Sequence, residues 1–341
     1  MKSKANKTRL RKEKSSNSSG KIPKISKIPI LKNKYYYVKE FELDGDAPKQ
    51  FICAYIYGAK SAMRRKNLRT WIPYIAKTAE KYYPHESIVE YMLNRIGEVI
   101  GLNMNKTKLL IINGQIRFLS RYFLSCGEVM IHGAEICGEY LGDRALANEI
   151  AENRKNSRDL FSFQFILRAM KNVFIENYVE LTTEFVKMLV FDAIVGNNDR
   201  HFYNWAVIRR VDKVGKKPYF APIYDTARGL FWNWSDERVK ESLKNYKKGG
   251  RKVENYLQNA LPRVSIEENA EINHFDLVSF LCKENKLYNK IVVELTSAEV
   301  ESEVVKMIKN EFDSFFVKER MTLIILTIQR RFSQLRKEAN D

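Results

Sequence analysis

The composition of this 341-residue chain allows a sizeable buried core, because 45% of its residues are hydrophobic and 12% are aromatic. Lys and Arg number 59 against 41 Asp and Glu, which gives a formal net charge of +18. This charge favours an anionic partner, such as a nucleotide phosphate, without requiring a nucleic acid.

The sequence carries no sign of export or of membrane insertion. It shows no apolar h-region typical of a secretory leader, and no apolar run approaches the roughly 18 residues that a membrane span needs. The four cysteines are scattered without a Cys-x-x-Cys pair, which fits a reducing compartment. We therefore predict a cytoplasmic protein with no membrane span, and secretion by a route that needs no signal stays open.

Residues 1–34 hold most of the excess positive charge. They contain twelve basic residues and one acid, Glu13, so this segment has a net charge of +11 and the rest of the chain has +7. High like charge with few apolar residues predicts a disordered tail. A solvated tail is the favoured interpretation, and an arm that binds nucleic acid or a membrane surface is the alternative.

The next part of the chain, residues 35–125, is predicted to be rich in strands with one helix. The helix is expected over 85–100, where apolar residues recur at helical spacing before Gly101. Asn113-Gly114 predicts a tight hairpin turn between two of the strands. Pro73 favours an edge position or a bulge for its strand. The predicted strands cover residues 35–41, 51–57, 71–76, 108–112 and 115–124.

Beyond about residue 126 the apolar spacing becomes helical. A predicted hairpin over 205–224 interrupts the helical pattern, and the basic segment 247–252 is predicted to be a mobile loop. The predicted helices cover residues 159–178, 181–195, 274–284 and 301–337.

The stretch 191–229 carries the chemistry. Asp199 and Asn204 lie five residues apart in a loop before the predicted hairpin, and Asp225 follows the hairpin. Two acids and an amide at one end of a hairpin suit a divalent cation that carries a phosphorylated nucleotide. Lys77 at a strand end would neutralise phosphate oxygens, and Glu90 on the predicted helix would hold this lysine in place.

The sequence Asp199-Arg200-His201-x-x-Asn204, followed by Tyr224-Asp225-Thr226-Ala227-Arg228, resembles the HipA-like serine/threonine kinases. Their fold is related to the phosphatidylinositol 3-/4-kinase branch. The resemblance extends over most of the chain from about residue 50. It implies an α+β, bilobal, protein-kinase-like fold, with a small β-rich N-lobe over 35–125 and a larger helical C-lobe over 126–341.

The resemblance also implies roles for individual residues. Asp199 would be the catalytic acid/base residue, with Asn204 and Asp225 as Mg²⁺ ligands. His201 is interpreted either as a support of the catalytic loop or as an ordinary structural hydrogen-bonding residue. The lysine at position 77 would contact the α- and β-phosphates of ATP.

Two further nucleotide contacts are expected. The backbone of Arg121, Tyr122 and Phe123 would form the adenine-binding hinge. The loop 58–69 has a single glycine, so a glycine-rich phosphate clamp is not evident, and Ser61 is the candidate for phosphate contact or autophosphorylation.

The predicted function is ATP- and Mg²⁺-dependent phosphoryl transfer to Ser or Thr of a protein of unknown identity, and to the chain itself. A lipid or small-molecule kinase is one alternative, and a non-catalytic module that binds nucleotide or nucleic acid is another. Toxin-type members of the family carry an amino-terminal subdomain that contacts an antitoxin. We expect that subdomain to be short or missing here, and a small antitoxin-like partner stays open.

Overall fold

Short strands and one long helix build the amino-terminal part of the protein. A computed structural model describes residues 9–40, 49–56, 64–212 and 215–340. In chain order the elements of this part are β1 Asn17–Ser18, β2 Tyr36–Val38, β3 Lys49–Ala54, β4 Ile72–Lys77, β5 Tyr82–Tyr83, α1 His85–Val99, β6 Thr107–Ile112 and β7 Gln115–Arg121.

Five of these strands form one antiparallel sheet in the order β2-β3-β4-β7-β6. Side chains alternate between its two faces. Leu109 and Ile116 belong to the large core that includes α1, whereas Leu110 and Leu119 belong to a smaller core on the opposite face. The helix therefore covers one face of the sheet and positions its side chains beside the end of β4.

Three local predictions in this sheet have clear outcomes. The helix prediction is confirmed, and so is the hairpin turn, since Asn113 and Gly114 have φ of 49° and 75°. The edge position expected from Pro73 is wrong, because β4 lies between β3 and β7. Its ladder with β7 starts at Tyr74, so the N–H that Pro73 lacks falls outside that ladder.

The prediction of a disordered tail is wrong for residues 9–34, and residues 1–8 lie outside the described residues. Residues 9–31, here called the strap, run along the protein surface with Leu10, Ile28 and Leu31 buried, whereas Ile25 and Ile30 are exposed. Leu10 and Ile28 are only 1% and 2% exposed. β1 pairs in parallel with β5, so the strap also satisfies backbone groups. Average composition missed these apolar anchors because they are widely spaced along the chain.

The strap contacts elements from both halves of the molecule. The Ser19 hydroxyl accepts from the His85 amide at the start of α1. The Ser19 carbonyl accepts from the Asp236 amide at 3.0 Å, and the Lys24 amide donates to the Ser314 carbonyl at 2.9 Å. These contacts join the strand-rich part to the helical part.

Helices dominate the remainder of the chain, with one three-stranded sheet in the order β10-β9-β8. The central helix α6 is buried over most of its length. The elements are β8 Glu128–His132, α2 Gly133–Leu141, α3 Arg144–Glu152, α4 Arg154–Leu160, α5 Phe163–Val173, α6 Tyr178–Val195, β9 Ala206–Arg210, β10 Tyr219–Phe220, α7 Asp236–Lys247, α8 Lys252–Gln258, α9 His274–Glu284, α10 Lys286–Leu295, α11 Ala298–Phe312 and α12 Lys318–Asn340.

Two predictions of long helices are wrong, because each predicted helix is interrupted in the structure. The stretch 159–178 is divided by Ser162, whose side chain caps α5 by accepting from the Phe165 amide. The stretch 301–337 is divided between α11 and α12. The segment predicted as a mobile loop over 247–252 is the turn between α7 and α8, with the Gly249 amide donating to the Tyr246 carbonyl.

No helix in the described part of the chain has the length and apolar character to span a membrane. The four cysteines are free thiols. The division between lobes near residue 125 stays a prediction.

Candidate active site

A buried arginine holds the loop that follows α6. Arg200 makes a two-point ion pair with Asp192 of α6, from Nε to Oδ2 at 2.9 Å and from Nη2 to Oδ1 at 3.0 Å, and both side chains are 2% exposed. Its Nη1 donates to the carbonyls of Asn204 at 3.0 Å and Tyr224 at 2.6 Å. One guanidinium therefore fixes the end of the loop and the residue before Asp225.

The side chain of Asn204 is oriented by the same loop. Its Nδ2 donates to the Asp199 carbonyl at 2.9 Å, and its backbone amide donates to the His201 carbonyl at 2.8 Å. Because the amide nitrogen is engaged, the carbonyl oxygen Oδ1 is the atom that Asn204 offers to a ligand. Asn204 is also buried, at 6% exposure.

The carboxylate of Asp199 lies between two arginines. Arg228 Nε is 3.1 Å from Oδ2, and Arg263 Nη2 is 3.1 Å from Oδ1. The Asp199 amide donates to the side chain of Asn197, which fixes the backbone before the loop. Both carboxylate oxygens therefore have cationic partners in this structure.

Lys77 links the strand-rich part to the helical part. Its Nζ lies 3.0 Å from Glu90 Oε1 on α1 and 2.8 Å from Asp225 Oδ1. Burial alone would lower the pKa of Lys77, but the two carboxylates outweigh burial and raise it. The lysine is therefore a fixed cation beside Asp225.

The two carboxylates respond differently to this shared cation. Burial raises the pKa of Glu90 to about 7, although Lys77 acts in the opposite direction. Burial also opposes ionisation of Asp225, whose side chain is 36% exposed, but Lys77 leaves its pKa below the ordinary value. Asp225 is thus the anionic partner of Lys77 that faces the open side of the site.

The backbone of Asp225 is left-handed, with φ of 51°. This conformation is uncommon for a residue with a side chain, although Asp tolerates it better than most. Arg200 holds the preceding carbonyl, so the surrounding contacts determine the direction of the Asp225 side chain.

His201 lies inside the loop and is half-buried. Its Nδ1 accepts from the Tyr203 amide at 3.3 Å. Burial lowers the pKa of His201, although Asp199 and Asp225 act in the opposite direction. The contact supports the turn between Asp199 and Asn204, and a catalytic role for the imidazole stays a prediction.

The predicted hinge follows β7. The Arg121 amide donates to the Lys106 carbonyl, the Arg121 carbonyl accepts from Asn105 Nδ2, and the Tyr122 amide donates to the Pro73 carbonyl. The Phe123 ring lies 5.8 Å from the Tyr224 ring. The hinge is therefore next to the residue that precedes Asp225. Adenine binding by this backbone stays a prediction, and Ser61 lies outside the described residues.

Sequence reasoning missed the two arginines that contact Asp199. Arg228 stands in the quoted motif, but no role was assigned to it. Arg263 is 64 positions away along the chain and follows α8. No local pattern marks Arg263, because only the tertiary fold brings it to the loop.

The residues present fit Mg²⁺ held largely by a nucleotide. The described residues contain no group of three or more His, Cys, Asp or Glu side chains able to hold a metal. Mg²⁺ is usually bound by one or two protein oxygens with phosphates and water. The Asn204 amide oxygen and the Asp225 carboxylate, both fixed through Arg200, match that requirement.

Comparison with known proteins identifies related chains. The family model for the HipA-like C-terminal domain matches residues 43–301. Serine/threonine-protein kinase CtkA of Helicobacter pylori is 27% identical over 201 residues, which cover 59% of this chain and 57% of the relative. The match therefore spans little more than half the length of that curated relative.

A comparison with solved structures gives one match to the whole fold. The crystal structure of a Helicobacter pylori proinflammatory kinase, CtkA, aligns with a TM-score of 0.69 at 18% identity, covering 91% of this chain and 97% of the other. HipA of Shewanella oneidensis MR-1, solved with HipB and operator DNA, aligns with a TM-score of 0.47 at 11% identity, covering 86% and 65%. The CtkA match confirms the predicted kinase-like α+β fold.

Proposed function

This chain belongs to the HipA-like C-terminal domain family, and we propose that it is a serine/threonine protein kinase that uses ATP and Mg²⁺. The observation that carries the proposal is the ion-pair chain Glu90–Lys77–Asp225, with distances of 3.0 and 2.8 Å. It joins Lys77 of β4 and Glu90 of α1 to Asp225, which follows β10. In kinases a lysine paired with a helix acid, together with a metal-binding acid, acts on the nucleotide phosphates and their metal, and this likeness supports the proposal.

Different residues of the site would contact the phosphates and the metal ion of the nucleotide. Lys77 would pair with phosphate oxygens, and Glu90 keeps the lysine in position. Asn204 Oδ1 and the Asp225 carboxylate would hold Mg²⁺. When bound there, Mg²⁺ neutralises charge on the β- and γ-phosphates. Since Asp225 now pairs with Lys77, metal binding would compete with that ion pair.

Asp199 would act on the acceptor hydroxyl of the protein substrate. The acceptor hydroxyl oxygen forms a bond to the γ-phosphorus, and the bond from that phosphorus to the β–γ bridging oxygen breaks. ADP leaves, and the hydroxyl proton passes to the Asp199 carboxylate. Because Arg228 and Arg263 now pair with this carboxylate, at least one of them must give way before Asp199 can orient the hydroxyl.

The proposed partners are ATP and a protein substrate with a Ser or Thr acceptor, including the chain itself. A small antitoxin-like partner stays an open alternative, and a nucleic-acid contact through the basic residues near the amino terminus stays the less favoured one.

The test is transfer of label from γ-labelled ATP in the presence of Mg²⁺. We expect label on the protein for the native chain, at serine or threonine. Asp199→Asn and Asp225→Asn should each reduce the rate by at least about a hundredfold, because each removes several kcal/mol of transition-state stabilisation at about 1.4 kcal/mol per tenfold. Each variant should keep the native unfolding temperature within a few degrees.

The matched control is Asp313→Asn, which makes the same change on an exposed residue beyond α11. It should label at the native rate. Equal labelling by native protein and both site variants would contradict the assigned roles. Label that appears on added lipid but on no protein would favour the lipid-kinase alternative.

A further inference from the structure

We propose that Arg228 and Arg263, with Arg154 beside them, form an anion subsite for an acidic or phosphorylated side chain next to the acceptor hydroxyl of a polypeptide substrate. This inference rests on the proposed kinase function and adds the chemistry of the acceptor. In the free protein, Asp199 occupies the subsite as an internal substitute for the substrate anion.

The first support is the excess of positive charge around one carboxylate. Arg228 and Arg263 each contact Asp199 at 3.1 Å. Burial and the Arg263 guanidinium lower the pKa of Arg154, and Asp199 is close enough to act on it in the opposite direction. Two guanidiniums therefore contact one carboxylate, with a third cation nearby, and a second anion would balance the excess positive charge.

The second support is an unused donor. The Nε of Arg263 is buried and has no hydrogen-bond acceptor within the described ranges. A buried donor without a partner is costly, so such a group usually indicates a ligand or an ordered water. The guanidinium of Arg263 therefore has a hydrogen bond to offer beyond its contact with Asp199.

The third support is the cleft into which Arg228 opens. It has a volume of about 820 Å³, and its lining includes Asn198 and Arg228, which flank the catalytic loop, together with Trp232 and residues of α7 and α8. The Arg228 guanidinium also lies 5.5 Å from the centre of the Trp232 ring. Arg228 therefore contacts Asp199 on one side and lines the cleft on the other.

The lining favours a polypeptide as the occupant. Amide side chains, including Asn255 and Asn259, suit the hydrogen-bonding groups of an extended backbone. Glu237 and Glu241 also line the cleft, so it is not uniformly basic. A membrane surface rich in anionic lipid would meet these carboxylates, whereas a peptide can place one acid at the inner end alone.

Substrate binding and activation of Asp199 are coupled by this arrangement. An incoming carboxylate or phosphate would take over the guanidiniums of Arg228 and Arg263. Asp199 would then be released to accept the hydroxyl proton. A neutral peptide has no group that can make this exchange, so it should react more slowly even when it binds.

The kinetic test uses pairs of peptides with a serine or threonine acceptor that differ only in the residue next to that acceptor. One pair compares Asp with Asn at that position, and the other compares phosphoserine with serine. The native chain should label the anionic members about tenfold faster. Arg228→Gln should reduce this ratio to about one. Arg209→Gln, the same change on an exposed residue of β9, should keep the native ratio.

A second test measures peptide binding and does not depend on phosphoryl transfer. Asp199→Asn removes the internal competitor, so this variant should bind a fluorescent acidic peptide about threefold more tightly than the native chain. This threefold gain in affinity should decrease at high salt, because Arg228 and Arg263 are partly exposed and salt screens their attraction for the peptide. Emission from Trp232, which packs near Arg228, provides a second readout of peptide binding.

The outcomes separate this inference from the proposed function. A native chain that labels no peptide or protein contradicts the kinase function, while tighter binding by Asp199→Asn would still support the subsite. Equal rates for acidic and neutral peptides, or a preference that survives Arg228→Gln, would overturn the subsite. Displacement of the acidic peptide by vesicles containing phosphatidylinositol phosphate would overturn the choice of a polypeptide.

Discussion

Asp192→Asn should damage the site without touching any substrate. Asp192 accepts two charge-assisted bonds from Arg200, and both side chains are 2% exposed. Asparagine has almost the same shape, but it is neutral and its amide group would face the guanidinium donors. The change therefore leaves Arg200 as a buried cation without its counterion. Arg200 also holds the carbonyls of Asn204 and Tyr224, so loss of its orientation would loosen both metal-ligand positions.

The magnitude follows from the burial of the pair. Removing one partner of a buried ion pair costs about 3–5 kcal/mol. Unfolding entropy is about 2.1 cal/mol/K per residue, so 341 residues give about 0.7 kcal/mol/K and the unfolding temperature should fall by about 4–7 °C. Activity should fall at least about tenfold as well, since the loop carries the proposed catalytic acid.

Thermal unfolding and label transfer should be measured on the same samples. The control is Glu294→Gln, which removes an exposed ion pair of 3.7 Å with Lys290 on α10 and should cost no more than about 0.5 kcal/mol. A drop of less than 1 °C for Asp192→Asn, with native activity, would refute the argument that this pair fixes the catalytic loop.

Three further predictions concern single residues elsewhere. Glu90→Gln should raise KM for ATP about tenfold in steady-state assays, because Lys77 loses the partner that positions it; an unchanged KM would contradict that role. Gly20→Ala should lower the unfolding temperature by several degrees, since φ is 132° and the added methyl would clash with the carboxylate of Asp236 in α7. Gly101→Ala, also at positive φ but with open space around it, is the control and should cost only about 1 kcal/mol. Burial lowers the pKa of His85 to about 4, whereas the unfolded value is about 6.5. The unfolded chain therefore binds more protons between these values, and the free energy of unfolding should rise with pH across that window by up to about 1.4 kcal/mol per unit. His85→Gln should flatten this slope in urea titrations, and an unchanged slope would refute the assignment.

The parts of the site that the sequence made predictable are the local ones. Asp199, Asn204 and Asp225 lie in a short motif around a hairpin, and the chemistry of their side chains suggests a use for each. The Lys77–Glu90 pair was also found, because a strand end followed by a helix limits where those side chains can meet. The ion pair between them is present in the structure at 3.0 Å.

The missed parts depend on contacts between distant segments. Arg263 reaches Asp199 across 64 positions, and no periodicity marks such a contact. The strap was predicted to be disordered because its average composition is polar and basic. Its order depends on isolated anchors, such as Leu10 in the smaller core and Ser19 against α1, which an average over the segment hides. The break before α5 was missed for a related reason, since Ser162 as a helix cap competes with a continuous apolar pattern.

A structure of the protein with Mg²⁺ and a non-hydrolysable ATP analogue tests the central claim most directly, namely that residues from both halves of the molecule act on one nucleotide. We predict Mg²⁺ bound to Asn204 Oδ1 and to the Asp225 carboxylate, with Lys77 on the phosphates and still paired with Glu90. The γ-phosphate should point toward Asp199. Nucleotide bound elsewhere, or Mg²⁺ without contact to Asn204 and Asp225, would contradict the account.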